Sequence, residues 1–180
     1  MRNNYYIVRH GESENNVLSL YNSDLKSIKK YGLTQKGREE TIESAKHIGH
    51  IHKIFSSPFR RTQETAEIFH LQTHADMHID HRLREIDLGT LNNQPSIDLP
   101  VLAEDEPMFE GESILQIKTR VLDFIQETEL LYENLNILIV THGGPLAILQ
   151  HYIKTDEPFQ FTGLEKVVRN SVVLPLVASA

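Results

Sequence analysis

The chain has 180 residues, a length that suits a single domain spanning 1–180 with a full core and leaves little room for a second. Its 25 acidic residues against 18 basic ones give a net charge of −7, which argues against a protein that works by holding nucleic acid or an anionic membrane surface. The absence of Cys excludes disulfide and thiolate chemistry, and with no leader-like start or long apolar run the sequence is expected to be cytoplasmic, with no membrane partner.

The apolar run Tyr5-Tyr6-Ile7-Val8 predicts a buried strand, and Arg9-His10-Gly11-Glu12 follows at its carboxyl end, where Gly11 permits a sharp turn. Glu12 to about Leu20 is expected to form a short helix or a structured loop. Thr34 is a candidate N-cap for a helix to about Gly49, with Ile42, Ala45 and Ile48 on its buried face. Lys53–Ser56 reads as a second strand. Ser57-Pro58 then supplies an N-cap and a first-position Pro for a helix to about His70, carrying Ala66 and Phe69 inward. Met77 to Asp80 is expected as an edge strand, and Asp87 to Gly111 as a loop. Ser113 with Gln116 forms a capping box, and Ile114, Ile117, Val121 and Ile125 mark the inward stripe of a long helix. The strand Asn136–Val140 delivers Thr141-His142-Gly143-Gly144, followed by a helix from Pro145 to about Ile153 and a final strand over 167–174. This alternation predicts an α/β fold with a mostly parallel central sheet and helices on both faces.

Open α/β sheets bind ligands beyond the carboxyl ends of their strands. Arg9, His10 and His142 fall at such ends, and basic groups there imply an anion. Arg60 and Arg61 occupy a first helical turn, where the macrodipole disfavours a cation by about 0.3–1 kcal/mol. A bound phosphate removes that conflict, and guanidinium groups grip phosphate through paired hydrogen bonds. The ordinary alternative has both arginines in solvent or paired with Glu64. Two histidine groups, His47, His50 and His52, and His70, His74, His78 and His81, have spacings that invite a transition metal. No Asp/Glu/His set among them matches a definite ligand pattern. They are read as surface histidines, and neither a metal nor any other cofactor is expected.

Arg9-His10-Gly11-Glu12 with Asn16, Ser57-Pro58 followed by Arg61, Glu85 followed by Gly89, and Thr141-His142-Gly143 resemble, in order, the motifs of the histidine phosphatase superfamily, the phosphoglycerate mutase-like group. Gly111-Glu112-Ser113 with Arg120 also resembles a family segment, so the similarity covers nearly the whole chain. The resemblance implies a three-layer α/β/α fold and a phosphohistidine formed on His10. It implies Arg9, Asn16, Arg61, His142 and Gly143 as the phosphate site, and Glu85 as the proton donor to the leaving group. The expected activity is metal-independent hydrolysis of a small phosphate ester, with inorganic phosphate as the other small-molecule ligand. Mutase-type transfer and phosphoprotein or phosphohistidine dephosphorylation are the alternatives. The sequence leaves the oligomeric state open.

The chain departs from the family after Glu85. Relatives often carry Trp there, whereas this segment runs Gly89-Thr90-Leu91-Asn92-Asn93 and the chain has no Trp. The short stretch from Gly89 to Gly111 is acidic through Glu104, Asp105, Glu106 and Glu110, with Glu112 just beyond. An abbreviated acidic lid should admit water and repel a second phosphate, which favours hydrolysis over mutase chemistry.

Overall fold

The structure is a computed structural model and describes residues 1–97, 99, 103–155, 157 and 169–176. Among them, β1 (Asn4–Arg9), β2 (Lys53–Ser56), β3 (Asp76–Ile79), β4 (Asn136–Thr141) and β5 (Val173–Leu176) form one sheet in the order β3-β2-β4-β1-β5. The first four run parallel to one another, and β5 is antiparallel to β1. The final strand thus starts later than expected, and residues 167 and 168 of the predicted span lie outside the described residues. The reason is local. Ser171 has φ +60° and donates its backbone N–H to Arg9 O at 3.0 Å, so regular strand pairing begins only after it.

Central parallel strands bury both faces and therefore read as unbroken apolar runs. Ile7, Ile137 and Ile139 meet Ile117, Val121, Phe124 and Leu149 from α4 (Ile114–Leu131) and α5 (Gly143–Tyr152) on one face. Val8, Ile54, Leu138 and Val140 meet Ala45, Ala66 and Phe69 from α2 (Gln35–Lys46) and α3 (Arg60–Thr73) on the other. The capping box of α4 forms as expected, with Ser113 Oγ accepting from Gln116 N and Gln116 Oε1 accepting from Ser113 N. Among the described residues no helix is long and apolar enough to cross a membrane.

Two helix expectations are corrected. In α2, capped by Thr34, the buried residues are Gly37, Thr41 and Ala45; Ile42 is 47 % exposed, while Ile48, beyond the helix end, still packs in part against the core as expected. Close approach to the turn after β1 decides the rotation of α2. A Cβ on Gly37 would lie 2.0 Å from Glu12 O, and one on Gly11 would lie 2.6 Å from Thr41 Oγ1. Gly37→Ala should consequently destabilise the fold by more than about 2 kcal/mol, despite the roughly 1 kcal/mol that Ala gains over Gly in a helix. Urea unfolding of the two proteins measures the difference. The second correction concerns α3, which begins at Arg60 with Phe59 as its N-cap rather than at Ser57-Pro58. The Ser57 hydroxyl is engaged elsewhere, and Phe59 N approaches it only to 3.5 Å. Arg60 and Arg61 still occupy the first turn.

The described residues between Asp87 and Gly111 include a helical turn over Gly89–Leu91, and the stretch is held at both ends. A Cβ on Gly89 would lie 2.1 Å from Phe109 O, and one on Gly111 would lie 2.0 Å from Asp87 O, so the two limbs cross backbone against backbone. Glu112 does not contribute charge to a lid: it is 9 % exposed and paired with Arg84 and Arg120.

Candidate active site

Parallel pairing places Arg9 opposite Thr141, so the next residue on each chain segment emerges at the same edge of the sheet. The result is a contact between His10 and His142, with ring centroids 5.2 Å apart and planes at 68°. Both rings are buried. His10 Nδ1 lies 2.7 Å from Gly11 O, an atom that only accepts, so Nδ1 carries the proton and Nε2 the lone pair. Into that lone pair Arg61 Nε donates at 3.1 Å. Burial, with Arg61 and Arg9 adding to it, holds the His10 imidazole well below its usual range and therefore neutral.

Arg61 is 1 % exposed. Besides His10 it donates to Asn22 Oδ1 at 2.7 Å, to Asn22 O at 2.8 Å and to His142 Nδ1 at 3.1 Å, and its guanidinium lies 4.7 Å from the Phe59 ring centre. Burial lowers its pKa from the usual guanidinium range to about 10. Because Arg61 only donates, His142 Nδ1 holds a lone pair, and its Nε2–H donates to Ser57 Oγ at 2.7 Å. Burial, then Arg61, His10 and Arg9, keep His142 neutral as well. Arg60 behaves as the ordinary reading anticipated, pairing with Glu64 at 2.8 Å.

Glu85 joins the group from the far side. Its Oε2 lies 3.9 Å from His142 Nδ1, and its Oε1 accepts from Ile86 N at 3.0 Å. The surface ion pair it was open to does not form. Arg82 is taken by Asp80 and Glu127, and Arg84 by Glu112. Only 23 % of the Glu85 side chain reaches solvent, and removal from water pushes its carboxyl up against the opposing pull of the Ile86 N–H, Arg61, Arg9 and Arg120. Gly144 permits this approach, since a Cβ there would lie 2.9 Å from Glu85 Oε1 and 2.3 Å from Ile86 Cδ1.

The half-buried Arg9 passes Gly143, where a Cβ would lie 3.7 Å from the guanidinium carbon. Asn16 is also half-buried, and its Oδ1 accepts from Ser13 N at 3.2 Å and Ser13 Oγ at 2.8 Å, which caps the short α1 (Glu14–Val17). Two residues of this arrangement escaped the sequence reading. Asn22 carries no local signal, and Ser57 was read as a helix cap and as part of a family-like motif, with no role toward His142.

The buried histidine pair joined by a buried arginine, with a carboxyl beside it, can hold a phosphoryl group between donors and a neutral imidazole. Comparison with known proteins gives the arrangement its family. A sequence profile of the histidine phosphatase superfamily (branch 1) matches residues 5–170. The chain belongs to the histidine phosphatase superfamily. Within it, the chain is 33 % identical over 156 residues to the probable phosphoglycerate mutase GpmB of Proteus mirabilis, covering 80 % of this chain and 71 % of that one. YhfR of Bacillus stearothermophilus superposes with a TM-score of 0.73 at 27 % identity, over 84 % of this chain and 79 % of that one. The mycobacterial glucosyl-3-phosphoglycerate phosphatase shares the fold, with a TM-score of 0.77 at 20 % identity over 96 % of this chain and 90 % of that one. The fold is accordingly that of the phosphoglycerate mutase-like α/β proteins. In this superfamily member, no three His, Asp or Glu residues form a metal-sized group among the described residues. His50 and His52 meet each other at 4.4 Å, His47 faces Glu43, and His70 faces Ala75 O.

Proposed function

We propose that the protein is a metal-independent phosphomonoester hydrolase that acts on small phosphorylated metabolites through a phosphohistidine on His10. The observation that carries this reading is His10 itself, a neutral imidazole whose Nε2 lone pair points at the Arg61 guanidinium. Nε2 attacks phosphorus as the bond from phosphorus to the leaving oxygen breaks, and the Glu85 carboxyl gives its proton to that oxygen. Glu85, now a carboxylate, takes a proton from the water that attacks the phosphohistidine, releasing inorganic phosphate and restoring His10. Arg9 and Arg61 donate to the equatorial oxygens, with Asn16 as a neutral donor and Gly143 beside Arg9 at the phosphate. His142 becomes a further donor when a phosphate dianion beside it favours its protonated form. Four donors and a covalent intermediate on the imidazole leave no step that calls for a metal.

The second reading, phosphoglycerate mutase-type transfer, is favoured by the name of the Proteus mirabilis relative. Purified protein given phosphoglycerates and a generic phosphomonoester separates the two. Release of free phosphate is the expected result, and efficient isomer interconversion without release would overturn it. The pH profile adds a test. Burial raises the Glu85 carboxyl, so its acid form persists to higher pH than usual, and kcat/KM for an alkyl phosphate should fall as pH rises through that raised value. In Glu85→Gln that alkaline limb should vanish; its persistence would remove Glu85 from the proton transfer.

A further inference from the structure

Glu85 sits on a segment with no regular secondary structure of its own, between a single helical turn over His81–Leu83 and another over Gly89–Leu91. A carboxyl that must meet a leaving oxygen within hydrogen-bond reach needs its backbone held, and short turns do not hold it. The neighbouring contacts show what does. Arg120, on α4 and 9 % exposed, donates NH1 to Arg82 O at 2.5 Å and NH2 to Glu85 O at 3.3 Å. The same guanidinium forms a two-pronged pair with Glu112, Nε to Oε1 at 2.9 Å and NH2 to Oε2 at 3.0 Å. Glu112 Oε2 accepts from Asp87 N at 3.0 Å, while its Oε1 also takes Arg84. Its backbone completes the clasp, with Glu112 N donating to Asp87 O at 2.8 Å. One buried ion pair therefore grips the chain at residues 82, 85 and 87, on both sides of the carboxyl.

From this geometry we infer that Glu112 and Arg120 are positioning residues for Glu85, which aim its carboxyl at the leaving-group oxygen and touch no reacting atom. The inference rests on the general-acid reading of Glu85 given above. A buried pair can equally be structural, but a structural pair costs all substrates alike. A device that aims a general acid matters in proportion to how badly the leaving group needs a proton. An alkyl alkoxide needs one, and p-nitrophenolate leaves without it.

The test compares kcat/KM for glycerol phosphate and for p-nitrophenyl phosphate in wild type, Arg120→Met, Arg120→Lys, Glu112→Gln and Glu85→Gln. This constant reports the steps through leaving-group departure, and the ratio of the two values within one variant does not depend on the fraction of protein that is folded. Misplacing a catalytic group by about 1 Å costs on the order of 10²-fold. The glycerol phosphate to p-nitrophenyl phosphate ratio should accordingly drop about 30- to 100-fold in Arg120→Met and Glu112→Gln, less in Arg120→Lys, and most in Glu85→Gln. An unchanged ratio in Arg120→Met and Glu112→Gln, alongside a collapsed one in Glu85→Gln, overturns the positioning role and leaves the general acid in place. An unchanged ratio in Glu85→Gln overturns the general-acid reading itself, and the positioning role with it.

Discussion

Replacing His10 by Ala should abolish turnover of phosphate esters, by on the order of 10⁴-fold or more, because the bond-forming atom is lost and no neighbour can take its place. His142 is the nearest imidazole, yet its Nε2–H donates to Ser57 Oγ, and its one lone-pair nitrogen, Nδ1, faces the Glu85 carboxyl at 3.9 Å. Rapid quenching of wild type with a phosphorus-labelled ester should trap an acid-labile, alkali-stable label on the protein. His10→Ala should show none, and an undiminished label there would place the covalent intermediate elsewhere.

Arg61→Met should lower kcat/KM about 10³-fold, the scale seen when one preorganised donor to a developing charge is removed. The guanidinium also carries a cost that phosphate relieves. Burial lowers its pKa to about 10, so the fold disfavours the cation. A cation whose folded-state pKa is lowered destabilises the fold throughout the range below about pH 10, and the cost fades only as pH rises from there. A dianion seated against Arg61 and Arg9 offsets that cost at neutral pH. Inorganic phosphate at 100 times its Kd should stabilise wild type by about 2.7 kcal/mol, a rise of roughly 5–10 °C in melting temperature. Arg61→Met should lose most of that rise. An equal rise in both proteins would show that the anion binds away from the histidine pair.

Residues whose role follows from their place on a strand were legible in the sequence. His10 and His142 each follow an apolar run ending at the edge of a parallel sheet, and any fold that aligns the two strands must bring them together. Arg61 was legible through its conflict with the helix dipole, which pointed to an anion. Asn22 was not, because it reaches Arg61 only through the path of a loop with no periodic signal. Glu112 read both as part of a family-like segment with Arg120 and as one acid of a lid, and the crossing of loop limbs at Gly89 and Gly111 turns it inward to Arg120. The face of α2 was misjudged for a related reason. Apolar size pointed to Ile42, while tight backbone contact at Gly37 and Gly11 set the rotation. Sequence patterns report which surfaces avoid water; they do not report where two backbones touch.

Asn170 donates its side-chain amide to His10 O at 2.7 Å, across a separation of 160 residues, and Ser171 is bound both to Arg9 O and, through its hydroxyl at 2.9 Å, to Thr41. During synthesis the first strand leaves the ribosome long before these two residues exist. The contacts with Arg9 and His10 fasten the loop that carries His10 across spans of 160 residues or more, and loop closure over such a span comes late in folding. A growing polypeptide should accordingly carry its reactive imidazole on an unfastened turn and stay inert towards the cell's phosphate esters until the last strand docks.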